Sequence, residues 1–364
     1  ASEVGLEILK KGGNAVDAAV AMGFFLAVTY PQAGNLGGGG FMMVHLADKH
    51  ETLAIDYREK APQKADKDMF LDEQGNVDRN KALFSSQSVG VPGTVAGLAL
   101  ALEEYGTMDL KTVIKPAMKV ANKGFLMTED LYWELVRMKK VLIQNKDVKK
   151  IFFNKGGTVK EIGTRIIQSE LGWSLEEIAY EGPHAFYKGK IAKKILKYMK
   201  KNNGLISKKD LKSYKPVIRE PVTGTYRGYD IVSMPPPSSG GVHLIQMLNI
   251  LENYSITEWG SNSAQTLHVM VEAMRQAYAD RSTYLGDPDF YIVPVKKLVS
   301  KDYAKDIVTH IDVEKAKKSE DVLPGEWMDN EGADTTHFSV VDQWGNAVSN
   351  TYTLNLSFGN GDMV

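Results

Sequence analysis

The chain has 364 residues, a formal net charge of −1, 43% hydrophobic and 24% charged residues, and no cysteine. There is enough apolar material for one large α/β unit, and the lack of cysteine excludes disulfides, thiolate metal sites and a cysteine nucleophile. The balanced charge gives no general argument for a nucleic-acid partner, and no run of about 18 apolar residues marks a membrane span.

Residues 1–10 form a helical pattern with no secretory leader before it, which reads as a mature or trimmed start. This first helix is expected to stop at Gly12-Gly13. Asn14 with Asp17 has the spacing of a capping box, with Asp in place of Glu or Gln. Residues 15–28 are nearly all apolar, the composition of a buried helix. Segments 41–46 and 52–57, parted by Asp48-Lys49-His50, read as a hairpin. A turn at 89–93 leads to a helix over 94–104, and further helices are expected near 109–122, 128–141, 164–177 and 184–201. Residues 188–215 are rich in lysine; this reads either as a solvated helical face with a surface loop or as a site for an anionic polymer, although no aromatic residues are interleaved. Strand is expected over 222–232 with a turn at Arg227-Gly228. The stiff run 235–241 then feeds helices over 242–251 and 266–284. Polar stretches 315–321 and 325–334 read as an exposed linker. Two alternating segments close the chain, 336–341 and 347–354, around a turn at Gln343-Trp344-Gly345-Asn346. Helices before, between and after short strands point to an α/β or α+β layered domain.

The closing hairpin carries the first candidate chemistry. Thr351, Thr353 and Asn355 share a face through the two-residue period of a strand. A tight turn at Trp344-Gly345 brings Thr353 within one residue of Thr335. Cross-strand threonines also stabilise sheets for their own sake, so spacing alone leaves the catalytic and structural readings open. A threonine hydroxyl is a poor nucleophile near neutral pH, and a free α-amine on the same residue is a suitable base. That amine exists once the Asp334–Thr335 bond is cut, and an exposed linker keeps such a bond accessible. His337, on the face of Thr335 as i, i+2, is a second candidate base.

Other motifs are less specific. Asn35-Leu36-Gly37-Gly38-Gly39-Gly40 permits close backbone approach; it could offer amides to an anion or make a dense helix-to-strand connection. It has neither a phosphate-loop ending nor dinucleotide-fingerprint spacing. Arg58, at the end of an apolar strand in Asp56-Tyr57-Arg58-Glu59, could grip a carboxylate as a bidentate fork or form an ordinary ion pair. Ser238 and Ser239 lack the Gly-x-Ser-x-Gly elbow. Glu272, Arg275, Asp280, Arg281 and Asp287 read as an ion-pair network. The seven histidines show no metal-ligand spacing, and neither a metal nor another cofactor is expected.

Together these segments resemble the γ-glutamyltransferase (γ-glutamyltranspeptidase) family in its bacterial form. The resemblance rests on Gly12-Gly13-Asn14-Ala15-Val16-Asp17-Ala18-Ala19 and on 31–41, 56–62, 90–97, 234–241, 278–290 and 335–359, and so runs essentially end to end. It implies an α+β fold, the four-layer αββα sandwich of N-terminal nucleophile hydrolases. It implies a precursor that cuts itself into a large and a small subunit, with export to the periplasm or outer surface. The implied reaction moves the γ-glutamyl group of glutathione and related compounds to water, amino acids or peptides, with no nucleic acid among the partners. The resemblance assigns Thr335 as nucleophile and first residue of the small subunit. It makes Thr353 the hydroxyl that holds the nucleophile and its amine, Asn355 a contact to the glutamyl group, and Arg58 the partner of its α-carboxylate. Asp334 and Thr335 then flank the self-cleavage. Residues 1–334 are the large-subunit region and 335–364 the start of the small one, together parts of one structural domain.

The chain stops soon after the hairpin, at Asn360-Gly361-Asp362-Met363-Val364, where family members continue. The resemblance places acidic residues for the substrate amine, a serine pair and the oxyanion glycines in that continuation. The sandwich is therefore expected to be incomplete here and the remaining small-subunit segment to be a required partner. Loss of oxyanion donors typically costs ~10²–10³ in rate, so the chain by itself is expected to be inactive. Two rival readings are a same-fold acylase or amidase of different acyl specificity, and an unprocessed precursor fragment.

Overall fold

A computed structural model describes residues 1–318, 322 and 335–364. The chain divides into two units, the first made of Ala1–Glu51, Ile55–Val217 and Glu331–Val364 and the second of Thr52–Ala54 and Ile218–Asn330.

The capping box at Asn14 forms. The Asn14 side chain accepts from the N–H groups of Val16 and Asp17, and the Asp17 carboxylate accepts from the Asn14 N–H. Asp17 is fully buried and also accepts from both donors of Thr107 and from the Met108 N–H. Hydrogen bonds of this number are what a buried carboxylate requires. Helix α1 (Ser2–Lys10) ends before Gly12, whose φ is 90°. Helix α2 (Ala15–Thr29) is buried on almost all sides, as its uniformly apolar sequence demands.

Strands β1 (Gly39–Leu46) and β2 (Glu51–Asp56) follow. After α3 (Arg79–Phe84) come α4 (Thr94–Tyr105) and α5 (Leu110–Lys123). The expected helix over 128–141 is two helices, α6 (Glu129–Arg137) and α7 (Lys139–Leu142), divided at Met138. Helix α8 (Lys146–Phe152) follows. The helix expected from 164 begins later, as α9 (Ser169–Glu181), because β4 (Arg165–Ile166) is taken up in pairing with β3 (Phe125–Leu126). The segment 184–201 is also divided, into α10 (Pro183–Tyr187) and α11 (Lys190–Lys201). Gly189 turns its N–H back to the His184 carbonyl, and a Cβ there would lie 2.8 Å from the Ala185 Cα. A larger residue could not make that turn. Helix α12 (Lys208–Ser213) has its own capping box from Ser207 and Asp210.

Strands β5 (Val217–Arg219), β6 (Val222–Tyr226), β7 (Tyr229–Ser233), β8 (Thr335–Val341) and β9 (Ala347–Thr353) complete the strand set. The main sheet has the order β5-β2-β1-β9-β8, so a strand from the chain's end sits beside one from its beginning. Both β9 neighbours are antiparallel to it. Met42, Val44, Phe338, Val340, Val348, Asn350 and Tyr352 are buried on one face. That face packs on α2, and Tyr352 donates its hydroxyl to the Gly23 carbonyl at 3.0 Å. The opposite face carries half-buried Phe41, Thr351 and Thr353 and exposed Thr335, His337 and Ser339. Of the four expected layers, the five-stranded sheet and the helices packed on its buried face supply two.

Asp342 pins the β8–β9 hairpin. One carboxylate oxygen accepts from the N–H groups of Trp344 and Asn346, and the other accepts from the Ala15 N–H at the start of α2. The turn falls where the sequence places it, with Gly345 at φ 88°.

In the second unit, β6 and β7 form the hairpin expected around Arg227-Gly228. Helices α13 (Gly240–Leu251), α14 (Ile256–Trp259), α15 (Ala264–Tyr284), α16 (Val295–Leu298) and α17 (Lys301–Val308) complete it. Ile250, Ala273, Ala304 and Ile307 form one of its apolar clusters. Within the expected ion-pair network the contacts differ in kind. Arg275 pairs with Glu272 at 2.6 Å, whereas buried Asp280 accepts from neutral donors: the side-chain amides of Gln246 and Gln276 and the Tyr303 hydroxyl. Among the described residues no helix is long and apolar enough to cross a membrane.

Candidate active site

The β8–β9 ladder sets Thr335 directly opposite Thr353, not merely within one residue of it. Their hydroxyl oxygens are 3.3 Å apart. The Thr353 hydroxyl also accepts the Asn355 N–H at 2.8 Å. A hydroxyl oxygen has two acceptor lone pairs, so the Thr353 oxygen can take both bonds. Asn355 has a φ of 72°, in the left-handed region that Asn tolerates better than most side chains. It enters the site through its backbone amide, a role that no motif announces.

Gly38 explains the glycine run. A Cβ on Gly38 would lie 2.2 Å from the Thr353 carbonyl oxygen. The Gly38 carbonyl in turn accepts from the N–H groups of Gly93 and Thr94 at the start of α4. The dense-connection reading therefore describes this position: β1 passes so close to the end of β9 that no side chain fits between them.

Arg58 is exposed just beyond the end of β2. Its guanidinium carbon lies 5.8 Å from the centroid of the Phe41 ring, a cation–π geometry. Phe41 pairs with Thr351 across β1–β9, and Thr351 pairs with His337 across β9–β8. Gly40 and Tyr57 exchange both backbone hydrogen bonds, so Arg58 follows opposite Gly39 in the row Gly39, Thr353, Thr335, and its guanidinium leans over the adjacent row Phe41, Thr351, His337. The backbone of Arg58 is held at both ends: its N–H donates to Asp56 at 3.0 Å and its carbonyl accepts from the Tyr214 hydroxyl at 2.9 Å. Half-buried Glu59 lies next to it. Burial pushes the Glu59 carboxyl up, while the hydrogen bond from its own N–H, the Arg58 charge and the hydrogen bond from the Gly39 N–H act the other way.

His337 Nδ1 lies 2.7 Å from Thr351 Oγ1, and Nε2 lies 3.3 Å from Ser339 Oγ. The ring is engaged by Thr351 in its own row and by Ser339 in the next, and makes no hydrogen bond to Thr335. Beneath the open face, the Tyr57 hydroxyl donates to Asn350 Oδ1 at 2.6 Å. Burial raises the Tyr57 phenol far above its ordinary pKa, so it stays a donor. Neither Phe41 nor the Tyr57–Asn350 pair was singled out from the sequence; the strand period of two, applied to β1 and β9 together, is the signal that finds them. Asp334 lies outside the described residues.

The frame is thus an α+β fold of the N-terminal nucleophile hydrolase type, with two threonine hydroxyls facing each other at the end of a central sheet. A cephalosporin acylase structure from Bacillus halodurans is similar to 99% of this chain and 65% of that one, with a TM-score of 0.85 at 26% identity. A γ-glutamyltranspeptidase crystal structure from Helicobacter pylori superposes with a TM-score of 0.87 at 47% identity, covering 91% of this chain and 95% of that one. The Gamma-glutamyltranspeptidase family model matches residues 1–364. The glutathione hydrolase proenzyme of Escherichia coli is 53% identical over 361 residues, which are 99% of this chain and 62% of that protein. The chain belongs to the γ-glutamyltranspeptidase family, and it spans less than two thirds of the length of the curated relatives it matches.

Proposed function

We propose that the protein to which this chain belongs transfers or hydrolyses the γ-glutamyl group of glutathione and related compounds through an ester on Thr335. The observation that carries the reading is the pairing of Thr335 with Thr353 on the open sheet face. Self-cleavage between Asp334 and Thr335 frees the α-amine of Thr335. Residues 1–334 then form the large-subunit region and 335–364 the start of the small one. The amine takes the proton as Thr335 Oγ attacks the γ-glutamyl carbonyl. The carbon–nitrogen bond of the substrate breaks, and the leaving amine departs with the proton. Water, or the amine of an amino acid or peptide, attacks the ester and restores the threonine hydroxyl. Thr353 orients Oγ and the amine, Arg58 pairs with the α-carboxylate of the glutamyl group, and Asn355 borders it. The rest of the small subunit completes the site, and the protein works in the periplasm or outside the cell.

The likeness to a cephalosporin acylase means that the backbone frame does not by itself choose the acyl group. Arg58 makes that choice, because an exposed guanidinium held over an aromatic ring suits an anionic substrate group. The test uses the full-length gene product, followed by intact mass, N-terminal sequencing and γ-glutamyl turnover. Wild-type protein should yield a fragment beginning at Thr335, and Thr335→Ala should stay one chain and turn nothing over. A Thr335→Ala protein that still cleaves or still releases γ-glutamyl products overturns the assignment.

A further inference from the structure

The outer face of α11 is a surface of one sign that the candidate active site does not use. Its lysines stand at 190, 193, 194, 197, 200 and 201. At 3.6 residues per turn these six fall on one side of the helix, opposite buried Ile191, Ala192, Ile195 and Met199. All six are exposed. Lys190 pairs with Glu177 at 2.8 Å, and Lys194 Nζ lies 4.9 Å from the Trp173 ring centroid. Lys193, Lys197, Lys200 and Lys201 have no carboxylate partner among the described residues.

The flanking sequence does not neutralise the stripe, although Glu177 and Glu181 lie near Lys190 at one end of it. Five more exposed lysines lie between 188 and 215 outside this helix. The single carboxylate in that stretch, Asp210, is buried and already accepts from the N–H groups of Ser207 and Gln63. The chain as a whole carries a net charge of −1, so this is a local concentration of charge. Like charges three and four residues apart destabilise the helix that carries them. An anionic surface relieves that repulsion.

The residue types select the kind of surface. Residues 188–215 contain no arginine; ammonium groups are point charges without the planar fork that reads single phosphates. The outer side of α11 presents no exposed aromatic ring on which the bases of a nucleic-acid strand could stack. The stripe follows a convex helix of 12 residues, about 18 Å long. It suits a diffuse plane of negative charge. We propose that α11 is an electrostatic docking face for a bilayer surface rich in anionic lipid, with the protein lying on the surface and no segment inserted.

The test is co-sedimentation of the full chain with phosphatidylcholine vesicles that contain or lack phosphatidylglycerol. Binding is expected with phosphatidylglycerol vesicles at low salt and not with phosphatidylcholine alone. It should disappear at about 1 M salt, where the Debye length is ~3 Å. The combined Lys193→Glu, Lys197→Glu, Lys200→Glu and Lys201→Glu variant should bind roughly tenfold more weakly or worse. Circular dichroism checks its fold, and the corresponding Gln set serves if the Glu set fails to fold. No binding to phosphatidylglycerol vesicles, binding unchanged by the variants, or binding to heparin without binding to vesicles each overturns the proposal.

Discussion

Thr335 and Thr353 are direct partners in the β8–β9 ladder, and the Asn355 N–H holds the second hydroxyl from the far side. The Thr353 oxygen is therefore positioned by backbone. Thr353→Val keeps the shape and removes that oxygen. In the full-length protein it should lower kcat for γ-glutamyl substrates by about 10²-fold, the scale of a misplaced reacting group. Thr353→Ser should recover most of the rate. Wild-type kcat in the Val variant would show that the hydroxyl positions nothing.

Arg58 over Phe41 yields a graded pair of effects. Arg58→Ala should weaken binding of γ-glutamyl substrates by ~2–5 kcal/mol, read as a rise in KM with little change for amides lacking the α-carboxylate. Phe41→Ala should cost less, about 0.5–1 kcal/mol for an exposed cation–π contact. Equal losses on carboxylate-bearing and carboxylate-free amides would remove Arg58 from the substrate.

Tyr57→Phe deletes the donor to Asn350, whose side chain is fully buried. An acceptor left unpaired in the core costs ~1–3 kcal/mol. The urea midpoint should fall accordingly, and Asn350→Leu in the same background should recover part of the loss.

Gly38 and Gly37 are neighbours with opposite expectations. Gly38→Ala puts a methyl 2.2 Å from the Thr353 carbonyl, whereas a Cβ at Gly37 meets nothing within 4 Å. Gly38→Ala should therefore destabilise by about 1–3 kcal/mol, as overpacking does, and lower turnover by moving Thr353. Gly37→Ala should leave both unchanged. Thermal melts and kcat of the two variants give the comparison.

Asp280 supplies a pH dependence. Burial pushes its carboxyl above the ordinary value, while hydrogen bonds from Gln246, Tyr303 and Gln276 and the Lys297 charge oppose this. The folded state then holds the proton at pH values where the unfolded chain has lost it. Its contribution to stability is largest below the ordinary carboxylate pKa and falls as pH rises through the raised folded value. Relative to Asp280→Asn, the wild type should lose stability as pH rises from the acidic side and level off above that range. Parallel urea curves for the two proteins at every pH would contradict this.

Local chemistry was legible where neighbours along the chain decide it. The Asn14 capping box, the turn at 343–346 and the apolar α2 follow from short-range spacing. The late start of α9 was not legible, because residues 165–166 are taken up as a strand by β3, which lies beyond α6–α8 in the chain. The lysine-rich stretch could be recognised by composition, but only the fold shows that its lysines in α11 occupy one side.

By itself, the sequence determined that two alternating segments end the chain, that threonines recur on one face of them, and that the chain resembles a family in which such a threonine is the nucleophile. Strand periodicity and turn chemistry are local, and they suffice for that. Only the tertiary structure decided that Thr335 faces Thr353, that β9 lies against β1, and that Arg58 is held over Phe41 on the same open face. The β1–β9 pairing joins residues hundreds of positions apart, and the other two are matters of register between neighbouring strands. They depend on how β1 and β9 share their hydrogen bonds and on the absence of a side chain at Gly38, which no period within either strand records.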